Sequence, residues 1–227
     1  MSSKLIEIFD IIIDPASAVQ RLNHRSSWLY PLCIISIGTF LMGLSNSQLI
    51  ARVIENSLPT GLPEDQARQA LDSFLRYQKI GICLSPLGIA LKWLFMAALL
   101  FLPCVILDIR VSFRNLFALI AQCSFITFLQ ELTIFLIISL RGDSVETVSD
   151  LSPKIGLDLL ITNLGKPLML ILNYFSVFNI CYILVLTIGL SIIGKCSKPR
   201  AFVAAIPSWL LPLIIGLGTL LFNETRV

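Results

Sequence analysis

Charge is scarce in this sequence. Only 14% of its 227 residues are Asp, Glu, Lys or Arg, while 56% are hydrophobic; a soluble domain carries about 25% charged residues to cover its surface. With a mean hydropathy of +0.86, the chain cannot be covered by water alone and needs lipid. The net charge of +3 is too small to suggest a nucleic-acid partner, and the cations stand at the ends of apolar runs instead of forming a stripe. Histidine occurs once, as His24, which is too little imidazole for a metal centre without acid or thiolate neighbours. Six cysteines (33, 83, 104, 123, 181 and 196) show no C-x-x-C spacing and read as small apolar packing residues. A phosphate-binding Gly loop, H-E-x-x-H and a nucleophile elbow are all missing. No catalytic residue, cofactor, metal or small-molecule substrate is therefore expected. Glu7, Asp10 and Asp14 interrupt the first apolar stretch, so it does not read as a cleavable signal peptide.

Long apolar runs are present instead. Residues 168–193 and 202–222 are each at least 20 residues long, enough at about 1.5 Å per residue to cross a hydrocarbon layer of roughly 30 Å. Between them lies a short turn with three cations, Lys195, Lys198 and Arg200, and no acid. Short turns rich in Lys and Arg stay cytoplasmic, so this hairpin places both helix ends at the cytosolic face and the C-terminus outside. Further spans are expected at 28–44, 80–107 and 113–140, the last two joined by a turn whose Arg110 and Arg114 mark the same side. Three segments are amphipathic and read as interfacial or surface helices: 3–13, 62–77 and 151–164. The expectation is one all-α integral membrane domain over 1–227, with five transmembrane helices and a cytoplasmic N-terminus, in the inner membrane of a bacterium. Lys and Arg are level at eight on each side of that arrangement. Orientation follows the tight turns and one flank, where the inner cations cluster.

Two ionisable residues fall within the spans, Lys92 and Glu131. Counted outward from the turn at 108–112, they come within about 5 Å of the same depth. An isolated charge at mid-bilayer costs about 3 kcal/mol even on lenient scales, so a structural ion pair is the leading reading and a proton or ion site the sharper one. Ser124, Thr127, Asn173, Ser176 and Asn179 are uncharged polar residues within spans. Helix-to-helix hydrogen bonding, at about 0.6–2 kcal/mol each, is their default role.

The order of several blocks resembles the Yip-domain family of Ypt/Rab-interacting membrane proteins, particularly its bacterial members. The blocks are Ile8-Phe9, Asp14-Pro15 and Trp28-Leu-Tyr-Pro31-Leu32; then Val111-Ser-Phe-Arg-Asn-Leu-Phe-Ala118; then Asn173-Tyr-Phe175 with Phe178, Ile188-Gly189-Leu190, Lys198-Pro-Arg-Ala201 and Trp209. The chain departs from the family pattern at Asn173, where an Asp is usual, and at Phe178, where a Trp is usual. Only 27 residues precede Trp28, against a longer cytosolic region in eukaryotic members, so Rab binding is not carried over. The resemblance implies a five-helix membrane protein without enzymatic activity; eukaryotic relatives act in vesicle traffic and membrane shaping, and some bacterial ones accompany ABC-type exporters. The leading functional expectation is a scaffold or accessory subunit that binds other integral membrane proteins or itself in the bilayer. A small transporter or channel using Lys92 and Glu131 is the alternative, and lipid handling in a cleft between spans a third.

Overall fold

Hydrocarbon offers no water to backbone N–H and C=O groups, so a chain of this composition must satisfy them within its own helices. The computed structural model describes residues 28–58, 63–161 and 164–224, and among them there is no β-strand. The described residues form seven α-helices: α1 (Leu29–Ser45), α2 (Ser47–Ser57), α3 (Glu64–Ile106), α4 (Phe113–Arg141), α5 (Lys166–Tyr174), α6 (Val177–Ile193) and α7 (Lys198–Glu224). Short 3-10 turns occur at Gly142–Ser144, Val148–Leu151 and Leu157–Leu159. The helix expected at 3–13 lies outside the described residues.

Among the described residues three stretches are long and apolar enough to cross a membrane: Arg68–Ile106, Phe113–Ser144 and Lys198–Phe222. The pair α1 and α2, bent by 53°, makes a fourth if taken as one span, and α6 is apolar but only 17 residues long. Among the described residues the fold is thus all-helical with three such helices, or four with the bent pair, where five spans are expected. Each of the three apolar windows is only 28% buried within the protein, so most of its surface is left for lipid or a partner to cover.

Three elements differ from those expected. The segment at 62–77 and the span at 80–107 are one uninterrupted helix, α3, of 43 residues. Nothing from Leu75 to Ile80 carries a stop signal, and a boundary between water and lipid is not by itself a helix boundary. The expected run 168–193 is divided into α5 and α6, with Phe175 and Ser176 between them. The amphipathic stretch at 151–164 contains a 3-10 turn at Leu157–Leu159 and no α-helix among its described residues. Pro153 supplies no N–H, and the Asp158 carboxylate takes the Gly156 N–H at 2.9 Å, a side-chain bond that competes with helix formation.

The chain divides into two compact units. One comprises Leu32–Ala90 and Gln130–Pro153. Its core is Val53, Ile138 and Val145, with Leu49, Ile134 and Leu151 against them. Leu49 and Val53 are one turn apart on α2, which is the spacing that puts both on one face. Arg52 of α2 pairs with Asp143 and donates to the Gly142 carbonyl at 3.1 Å. Gly142 has φ +50°, so this turn after α4 uses the left-handed conformation that glycine tolerates.

The other unit comprises residues up to Pro31, Leu91–Leu129 and Lys154–Val227. From α3 it buries Trp93, Met96, Ala97, Leu100 and Cys104, from α4 Leu116, Leu119, Ile120 and Cys123. Both sets recur at three- and four-residue intervals, one helix face each. α6 lies against α7, where Ala201, Ala204, Ala205 and Ser208 are fully buried. That stripe of small residues lets two backbones approach closely in lipid, where packing replaces hydrophobic driving force.

Candidate functional site

Two places in the second unit gather the polar residues. The first is the break between α5 and α6. Ser176 begins α6 as its N-cap, its hydroxyl accepting from the Asn179 N–H at 3.2 Å. The Asn179 side chain donates back to the Tyr174 carbonyl at 2.9 Å, so both sides of the break are tied. Asn173 donates to the buried Asp158 carboxylate at 2.8 Å, and the second carboxylate oxygen takes the Gly156 N–H. An isolated antiparallel bridge joins Gly156 to Ser176. A Cβ on Gly156 would stand 2.5 Å from the Asn173 carbonyl oxygen and 2.6 Å from that of Leu172; only glycine allows this approach. Beside the break, Tyr174, Phe175 and Trp209 pack ring on ring at 5.7–6.3 Å between centroids, and the Tyr174 hydroxyl donates to the Trp209 carbonyl. At the break the Phe175 N–H reaches the Ile171 carbonyl at 3.3 Å and the Ser176 N–H that of Tyr174 at 2.8 Å, so the irregular backbone keeps partners within the protein.

Asp158 is the member that sequence reasoning missed. It sits in a stretch read by its leucines, and its signal is the Gly-x-Asp spacing of a side chain returning to a backbone N–H two residues earlier. Asn173, Ser176 and Asn179, expected on one continuous helix, instead shape the break. Ser124 and Thr127 bond within their own helix, to the Ile120 and Ser124 carbonyls, each at 2.8 Å.

The second place is the basic end. α3 and α6 finish in the same way. At α3 the Ile109 N–H reaches the Cys104 carbonyl at 2.8 Å and the Asp108 N–H that of Val105 at 3.1 Å. At α6 the Cys196 N–H reaches Ser191 at 3.1 Å and the Lys195 N–H reaches Ile192 at 3.4 Å. This is the Schellman pattern, which puts one residue in the left-handed region: Asp108 with φ 48° and Lys195 with φ 47°. Gly194 is packed against Ile109 and Val111, where a Cβ would clash, and Arg200 donates to the Leu107 carbonyl. The two turns are thereby held side by side, with Arg110, Arg114, Lys195, Lys198 and Arg200 all exposed. Burial pushes the Cys196 thiol up, partly opposed by the Arg200 charge.

Lys92 is exposed on the part of α3 in this unit, and Glu131 is exposed on the part of α4 in the first-described unit. Among the described residues no group of three or more His, Cys, Asp or Glu could hold a metal.

A family model described as Yip1 domain matches residues 9–220. The chain belongs to the Yip1 domain family. Comparison with curated proteins and with solved structures gives no match. Yip1 domain proteins are membrane proteins linked to Rab and trafficking interactions, and they interact with other proteins. The apolar helices and Yip1 membership together make this an integral membrane protein.

Proposed function

We propose that this protein is a non-enzymatic scaffold or accessory subunit of the bacterial inner membrane, which binds other membrane proteins in trafficking, membrane organisation or export. The observation that carries the reading is the length of α3. Its 43 residues extend about 64 Å at the helical rise, about twice the hydrocarbon thickness, so one end must leave the bilayer. The polar end, from Glu64 to Lys79, is continuous with the apolar span. A partner gripping the polar end is therefore attached to the membrane segment through one helix. Tyr77, 73% exposed, offers the kind of aromatic contact that protein interfaces favour. A photo-reactive residue at position 77, activated in native membranes, is expected to crosslink to an integral membrane protein or to a second copy. Crosslinks to lipid only would overturn the reading.

The proposed arrangement has five crossings, counting α1 with its bend and α5–α6 as one broken crossing. It places the basic turns in the cytosol and Val227 outside. A second reading, transport, draws on the broken α5–α6 pair, because discontinuous helices mark substrate sites in transporters. Its test is flux in proteoliposomes: loss in Glu131→Gln would favour transport, and undiminished or absent flux would leave the scaffold.

A further inference from the structure

We infer that the two basic turns at one end of the second unit form a binding surface for the headgroups of anionic phospholipids. Across 107–115 and 194–201 there are five cations and a single acid, Asp108. Among the described residues none of the five is paired with a carboxylate. The fold brings the turns together through Gly194 against Ile109 and Val111 and through Arg200 on the Leu107 carbonyl, so the cluster is built by packing and not by sequence proximity.

Four of these five charges carry a local cost. Lys195 occupies a left-handed backbone conformation, which an L side chain enters at a cost and glycine does not. Arg114, Lys198 and Arg200 stand in the first turns of α4 and α7, where neither helix has an acid and where the helix dipole disfavours cations. Only Arg200 is rewarded within the described structure, by a carbonyl. Negative charge supplied from outside would offset the dipole cost at Arg114, Lys198 and Arg200 together.

The surroundings of the cluster select the source of that charge. Immediately beside the cations, on the helices that flank the two turns, Leu102, Ile106, Phe113, Phe202 and Val203 are exposed, Ile106 by 81%. A ligand with an anionic head and acyl chains matches both zones, whereas free phosphate or an acidic peptide leaves the apolar zone uncovered. Basic residues just beyond membrane helices attract anionic headgroups with about a fivefold gain in affinity per cation. The inference does not depend on which side of the membrane carries these turns, nor on the scaffold reading.

The full chain in mild detergent tests it. Phosphatidylglycerol or cardiolipin is expected to raise the thermal unfolding midpoint, phosphatidylcholine not, and the shift should vanish at ~0.5 M salt, where charges are screened within a few ångströms. In the variant Lys195→Gly with Lys198→Gln, the lipid-free midpoint should be equal to or above that of the unmodified chain, because the strained residue becomes glycine. Its affinity for phosphatidylglycerol vesicles should nevertheless fall about 25-fold, fivefold for each charge. Equal shifts with phosphatidylcholine, equal shifts with inorganic phosphate or an acidic peptide, or unchanged vesicle affinity in the variant would each overturn the inference. If the variant does not fold, the lipid and salt comparisons on the unmodified chain decide.

Discussion

Asp158 and Asn173 show how a few polar atoms set the shape of an apolar chain. Both carboxylate oxygens of Asp158 have donors, so replacing Asn173 with Ala strands one of them in a buried site. A loss of about 1–3 kcal/mol is expected, measurable as a lower unfolding midpoint in detergent. Gly156→Ala should be at least as damaging, since the atoms its Cβ meets are backbone; a fully stable variant would show that the loop does not dock on the break. Asp150 behaves differently because it is exposed. Its carboxyl is held below the usual Asp range, first by the Thr147 hydroxyl, then by the backbone N–H groups of Thr147 and Glu146. A lowered folded value means that the stabilisation is complete above the unfolded pKa of about 3.9 and is lost as pH falls through the folded value. The turn at Val148–Leu151 should therefore loosen below about pH 4, and amide exchange at 146–150 should show it. Thr147→Val should move that loosening to higher pH.

At the scale of the element, helix ends matter more than helix interiors. α3 and α6 finish with the same hydrogen-bond pattern, and Gly194 allows those two ends to meet. Gly194→Ala is expected to cost about 1–3 kcal/mol, as overpacking does, with weaker binding to anionic vesicles because the basic turns are pushed apart. Tyr174→Phe keeps the ring cluster with Trp209 and removes one hydrogen bond, so a smaller loss of about 0.6–2 kcal/mol follows. Should it match Gly194→Ala in severity, the ring packing would not be what holds α5 against α7. The continuity of α3 makes a further difference between a hinge and a lever. Two glycines inserted after Lys79 should leave the span inserted but reduce crosslinking from position 77 to any partner.

For the whole molecule, orientation is the claim with the widest reach. A reporter fused after Val227 is expected to be active outside the cytosol, while one fused between Ser197 and Lys198 should be active inside it. The reverse pattern would exchange the surfaces offered to each compartment. Burial is uneven in a way that fits the composition: α6 is buried over much of its circumference, yet the long apolar windows of α3, α4 and α7 are largely uncovered. Lipid completes this fold, as 14% charge requires.

The apolar character, the helical class, the Yip1 family and the two basic turns were legible in the sequence, because hydropathy, spacing and charge are properties of neighbours along the chain. The break at Phe175–Ser176 was not, since Asn173, Ser176 and Asn179 are equally acceptable on an unbroken helix until Asp158 and Gly156 approach from outside it. Nor was the union of the turns at 107–115 and 194–201, which depends on a glycine meeting two methyl-bearing side chains more than 80 residues away. Local order determined which segments are helices and which of them suit lipid. Packing alone decided where a helix yields and which charges stand together, because both depend on contacts between residues distant in the chain.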